Sequence, residues 1–282
     1  MTAACRVPAA MLFTVGITWS ADVALVQVRV DTSKTPKAAA YSGPTTDLVR
    51  EWYPKINAIL FGNDYPLRFK EIKVLFAPKL RLKLDSHKTE VPAYAEGNTI
   101  HVNFGYLTHM PDDYRGMLIH ELTHINQQYD NAPSGAGWLV EGIADYIRHK
   151  YYEKDIEAKL RIDGDGYLKG YAPSAPFLFN LEKRRARLDD KGYFTSYTVA
   201  SAFLFWLEER KDKEIVRVMN VALSEGRYSE ELFRQRCGAP LDALWKEFLL
   251  QSRPQSLQAV GRRTRNRSQA GLGKHISYRL LT

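Results

Sequence analysis

Residues 114–129 read YRGMLIHELTHINQQY, and the rest of the chain is organised around them. Within this stretch His120, Glu121 and His124 form the pattern H-E-x-x-H. On an α-helix, two histidines four positions apart lie one turn above each other on the same face. Their ring nitrogens can then bind one metal ion at two corners of a tetrahedron, typically zinc at about 2.0–2.1 Å. Glu121 lies about 100° around the helix from His120, so it borders the metal without ligating it. That is where a general base for a zinc-bound water belongs. The alternative is a surface helix with two solvated histidines, and the flanking sequence has to decide.

A hydrolytic zinc site needs three protein ligands and an open position for water. Glu141 is the best candidate for the third, on a second helical segment (WLVEGIADYIRHKYY, from Trp138) that follows the breaker NAPSGAG at 131–137. Asp145 follows one turn later on the same face, where a carboxylate can hold the second nitrogen of a ligand histidine. A rival pattern, H-E-x-x-H-x-x-G-x-x-H with an acid in the last place, would make Asp130 the ligand. Its glycine position is Gln127, however, and without glycine the helix has no reason to turn and would carry Asp130 away.

Hydrophobic periodicity places this pair of helices in an α+β fold. Val26, Val28 and Val30 alternate with polar residues, as do Ile72, Val74 and Phe76 in 71–77, and both read as strands. Residues 35–44 read as loop, and Thr45-Thr46-Asp47 as the cap of a helix carrying Leu48, Trp52, Ile56 and Ile59. Residues 79–90 are a connection or an edge strand. After the turn signal Glu96-Gly97-Asn98, Ile100, Val102 and Phe104 alternate in a strand just before the metal helix. In zinc peptidases a strand in that position commonly forms the edge that receives an extended substrate; the alternative is an ordinary strand of the sheet. Pro111-Asp112-Asp113 suits the start of the metal helix, whose expected core stripe is Leu118, Leu122, Ile125 and Tyr129. Further helices are expected at 197–210, 213–224, 228–236 and 240–250. The expectation is a small mixed sheet followed by a mainly helical C-terminal half.

Composition narrows the function. The chain has 282 residues and a net charge of +8, but residues 251–282 hold seven Lys/Arg and no Asp or Glu. The remaining 33 basic and 32 acidic groups leave residues 1–250 nearly neutral, so no basic nucleic-acid face is expected on the folded part. The tail lacks sustained periodicity and is expected to be disordered; Asn266 opens a glycosylation sequon in it. The only cysteines are Cys5 and Cys237, which excludes a cysteine zinc site. Residues 1–24, with Arg6 ahead of a short apolar run and small residues near Ala21, read as a secretory signal. That run is too short to span a membrane.

MLIHELTHINQQ followed by GWLVEGIADYIRHK resembles the basic secretory proteins of plants and bacteria, zinc peptidases of the gluzincin kind. LVREWYPKINAIL, VPAYAEGNTIHVNFGYL, GYFTSYTVASAFLFWLEER and YSEELFRQRCGAPLDALWKEF extend the likeness over about residues 24–250. The resemblance implies secretion, a zincin-like catalytic domain over 25–250, and peptide-bond hydrolysis with His120, His124 and Glu141 as zinc ligands. In gluzincin aminopeptidases a tyrosine heading a helix stabilises the oxyanion. The stretch beginning Tyr197-Thr-Val-Ala-Ser is loosely similar, which nominates Tyr197, with Tyr193 in reserve. The competing function is a binding or defence protein on the same scaffold, with zinc kept for structure. The intact Glu121 speaks against it, because a structural site needs no base.

Overall fold

The computed structural model describes residues 26–84, 87–127, 129, 132–133, 135–159, 192–194 and 196–252. The expected signal segment, Asp130, Asn266 and the tail from Arg253 onward lie outside the described residues.

Strand β1 (Gln27–Asp31) leads through a 3-10 turn, Pro36–Tyr41, into helix α1 (Ser42–Phe61) and then strand β2 (Glu71–Ala77). The two strands are parallel, a pairing that needs a crossover of this kind. Helix α1 starts earlier than the sequence suggests. Pro44 sits in its first turn, where its missing N–H costs nothing. Thr45, expected as a cap, is instead buried and hydrogen-bonded to the hydroxyl of Tyr114, pinning α1 to the start of the helix that carries H-E-x-x-H.

A hairpin of β3 (Arg81–Leu84) and β4 (His87–Glu90) forms its own two-stranded sheet. A second hairpin, β5 (Ala93–Glu96) and β6 (Thr99–Asn103), returns to the main sheet, whose order is β1-β2-β6-β5. The strand nearest the H-E-x-x-H helix in sequence, β6, is therefore central: β2 pairs with it in parallel and β5 in antiparallel fashion. The edge belongs to β5. Phe104 does not continue the strand, because the Asn103 side chain accepts from the Tyr106 N–H and caps helix α2 (Phe104–Leu107).

Ile72, Val74, Phe76, Ile100 and Val102 bury one face of the sheet against α1 and helix α3 (Tyr114–Gln127), which follows a 3-10 turn at Pro111–Asp113. Helix α3 is buried on nearly every side, so the expected stripe of Leu118, Leu122 and Ile125 is only part of its contact surface. Its other side meets α4 (Gly137–Ile147), which runs into a π-helical turn, Arg148–Tyr152, and then α5 (Ile156–Lys159). After a 3-10 turn at Gly192–Phe194 come α6 (Tyr197–Arg210), α7 (Ile215–Ser224), α8 (Glu231–Cys237) and α9 (Leu241–Ser252). The last helix passes the expected boundary at 250. Among the described residues no helix is long and apolar enough to cross a membrane.

Helices α4 and α6 pack closely, and Gly142 permits it. A Cβ on Gly142 would stand 2.8 Å from the Cβ of Ala200 and 3.3 Å from Leu204 Cδ1. Neither helix can yield without moving the residues it carries. Gly142→Leu is expected to lower stability by about 1–3 kcal/mol through overpacking, read as a lower urea midpoint. An unchanged midpoint would contradict this packing.

Candidate metal centre

The site is built from α3 and α4, with the start of α6 laid over it. His120 and His124 project from one face of α3 as their spacing demands, and their Nε2 atoms lie 3.0 Å apart. Glu141 Oε2 from α4 stands 3.2 Å from His120 Nε2 and 3.4 Å from His124 Nε2. Donors at the corners of a tetrahedral zinc site stand about 3.3–3.4 Å apart, given bond lengths of about 2.0–2.1 Å. The three side chains therefore converge at the spacing one ion would require.

Hydrogen bonds behind each ring fix which nitrogen is free. His120 Nδ1 donates to Asp145 Oδ1 at 2.8 Å, which leaves Nε2 as a lone-pair donor toward Glu141. Asp145 thus stands where the sequence put it. For His124 the same work is done by Gln127. Its Nε2 donates to the Val140 carbonyl at 3.0 Å, so its Oε1 is the atom 2.8 Å from His124 Nδ1, and that nitrogen carries the proton. Gln127 reads in the sequence only as an absent glycine. The overlooked signal is its position three residues after His124, on the same helix face.

The electrostatics run in the same direction. Burial opposes a charge on His120, but hydrogen bonds to Asp145 and Glu141 outweigh it and raise the imidazole well above its usual pKa. Against the same burial, Glu141 raises His124. Burial would raise Glu141 too, yet its two histidine neighbours hold it far below the usual carboxylate range. Both histidine shifts express one demand for positive charge at the converging Nε2 atoms, which a divalent cation would also meet. In donor type, spacing and charge, these residues fit a zinc ion.

Glu121 is buried beside the two histidines. Burial lifts its pKa above the ordinary carboxylate value, against the lowering influence of His120 and His124. The backbone of Ala95, on edge strand β5, lies close enough to favour its ionised form weakly. Tyr197, at the head of α6, stacks on the His120 ring with centroids 5.9 Å apart and is 53% exposed. Tyr193 is placed elsewhere: it is buried among Trp138, Phe203 and Trp245, and burial, with Asp242 nearby, pushes its hydroxyl pKa up. The structure thus brings together His120, Glu121, His124, Glu141, Asp145 and Tyr197, and leaves Tyr193 in the core.

A family model described as BSP, peptidase of plants and bacteria, matches residues 79–192 and 180–248, which include every residue of this site. No curated protein and no solved structure matches the chain. Gln127→Met keeps the length of the side chain and removes both hydrogen bonds. Zinc affinity measured against a competing chelator is expected to fall about 10–100-fold, and wild-type affinity would contradict the orienting role of Gln127.

Proposed function

The chain belongs to the BSP family, the peptidases of plants and bacteria, and on that premise we propose that it is a zinc-dependent peptidase of the gluzincin kind with a zincin-like catalytic domain over residues 25–250. The observation that carries the reading is the convergence of His120 Nε2, His124 Nε2 and Glu141 Oε2 within 3.0–3.4 Å of one another. Zinc held by these three residues would supply a Lewis acid that polarises the scissile carbonyl and lowers the pKa of a water molecule towards about 7.

Glu121 then acts as general base. Its raised pKa suits a group that takes a proton from water and returns it to the leaving amine nitrogen. Tyr197, exposed over the His120 ring, offers its hydroxyl to the oxyanion that develops on the former carbonyl oxygen. Asp145 and Gln127 hold the two imidazoles in the tautomer that leaves Nε2 free.

Substrate geometry follows from the edge strand. Asn103 N–H donates to the Pro92 carbonyl, so along the antiparallel β5–β6 pair the backbone groups of Ala93 and Ala95 face away from β6. The influence of the Ala95 backbone on Glu121 agrees with that direction. An extended peptide adding to this edge would lie beside the base and the metal ligands, the usual arithmetic of β-augmentation. Secretion directed by residues 1–24 completes the reading.

The alternative, a binding protein with structural zinc, leaves Glu121 unexplained. A buried carboxylate is costly to keep, and a purely structural site would not need it. Glu121→Gln preserves shape and removes the base. The variant is expected to retain one zinc per chain and lose about 10²–10⁴-fold in peptide hydrolysis. Full activity would overturn the assignment of the base.

A further inference from the structure

Behind the metal centre lies a second set of polar groups that the hydrolytic chemistry does not use. The turn that ends α4 is π-helical, with Glu153 N–H bonded to the Arg148 carbonyl. Such turns are rare and concentrate at functional sites. Lys154 follows in a left-handed conformation, φ 58°, a strained position for a residue with a side chain. The result of this backbone path is that Asp155 N–H reaches the His149 carbonyl at 3.0 Å, returning the chain towards that histidine.

His149 is buried, and its Nδ1 lies 2.9 Å from both Glu153 Oε2 and Asp155 Oδ1. Its other nitrogen, Nε2, faces Asp145 Oδ2 at 3.8 Å. Asp145 in turn accepts from His120 through its remaining oxygen. The flanking basic residues anchor the same turn. Arg148 pairs with Asp113 at 2.6 Å, just ahead of α3, and with Glu153 at 2.7 Å. Gly116 leaves the room they need, since a Cβ there would meet Glu153 Oε1 at 2.1 Å. Lys150 pairs with Glu208 of α6. Three consecutive basic residues thus tie one turn to the start of α3, to the carboxylate behind His120, and to the helix that carries Tyr197.

We propose that His149 is a positioning residue of the metal centre: braced on Nδ1 by Glu153 and Asp155, it holds Asp145 in the orientation that fixes His120. The inference rests on the reading of His120, His124 and Glu141 as metal ligands. Glu153 divides its two oxygens between Arg148 and His149, so the cluster around His149 is read as a brace, and the zinc stoichiometry of the wild-type chain tests it against a second metal site.

Two conservative substitutions separate the nitrogens. Gln at 149 carries its amide nitrogen near the place of Nε2 and keeps the contact with Asp145. Asn carries its amide nitrogen near the place of Nδ1 and keeps only the brace. In the full chain, zinc affinity measured by chelator competition is expected to weaken about tenfold in His149→Asn and to stay within a few-fold of wild type in His149→Gln. Asp155→Asn, at a more exposed arm of the brace, should weaken zinc several-fold with little change in Tm, and serves if the His149 variants fold poorly.

Wild-type zinc affinity in all three variants, with only Tm lowered, would overturn the proposal and leave a purely structural brace. So would a second zinc per wild-type chain that disappears with His149→Asn. Glu141→Ala, run in parallel, separates the two levels. If it loses zinc while the His149 and Asp155 variants do not, the positioning role alone fails; if it too binds like wild type, the ligand assignment fails.

Discussion

Two imidazole nitrogens and a carboxylate oxygen meet within 3.0–3.4 Å where His120 is buried and His124 and Glu141 are half-buried, and this crowding is the constraint that the surrounding structure answers. Buried polar atoms at such distances need fixed partners or a cation between them. Asp145 and Gln127 supply the partners by taking the proton-bearing nitrogen of each ring. What remains is a cluster of electron-pair donors whose spacing is that of a tetrahedral metal site. The helix that presents them is accordingly buried on nearly every side, unlike an ordinary surface helix with one apolar stripe.

The rest of the fold sets the distances around that helix. One side of α3 is held by α1 and by the sheet, whose edge strand β5 packs against it. The other side is held by α4, drawn close to α6 because Gly142 presents no Cβ to Ala200. That approach brings Tyr197 over His120. His120, Glu121 and His124 on α3, Glu141 on α4 and Tyr197 on α6 thus come from three elements whose separation is fixed by packing, the preorganisation that the proposed hydrolytic chemistry needs. Membership of a peptidase family gives this arrangement a substrate class.

Much of the centre was legible in the sequence because helical spacing maps directly onto a shared face. His120, His124, Glu141 and Asp145 needed only the four-residue repeat and a break between two helices. Other features followed from forces that a linear pattern does not carry. Alternation of Ile100 and Val102 shows a half-buried strand but not whether that strand is central or at an edge; pairing alone decides, and the edge fell to β5. Thr45 has the chemistry of a helix cap, yet tertiary contact with Tyr114 gives its hydroxyl a different partner. Gln127 was visible only as the residue that was not glycine. The run Arg148-His149-Lys150 falls inside the expected second helical segment, and the π-helical turn there breaks the period by which faces are read.

The central claim is that a single zinc ion is held by His120, His124 and Glu141. Zinc-edge X-ray absorption on the purified, hydrolytically active protein tests it most directly. The account predicts one zinc per chain, with two imidazole nitrogens in the first coordination sphere and oxygen ligands completing it. Full peptidase activity in a protein carrying no metal, or a zinc coordination sphere without imidazole, would contradict it.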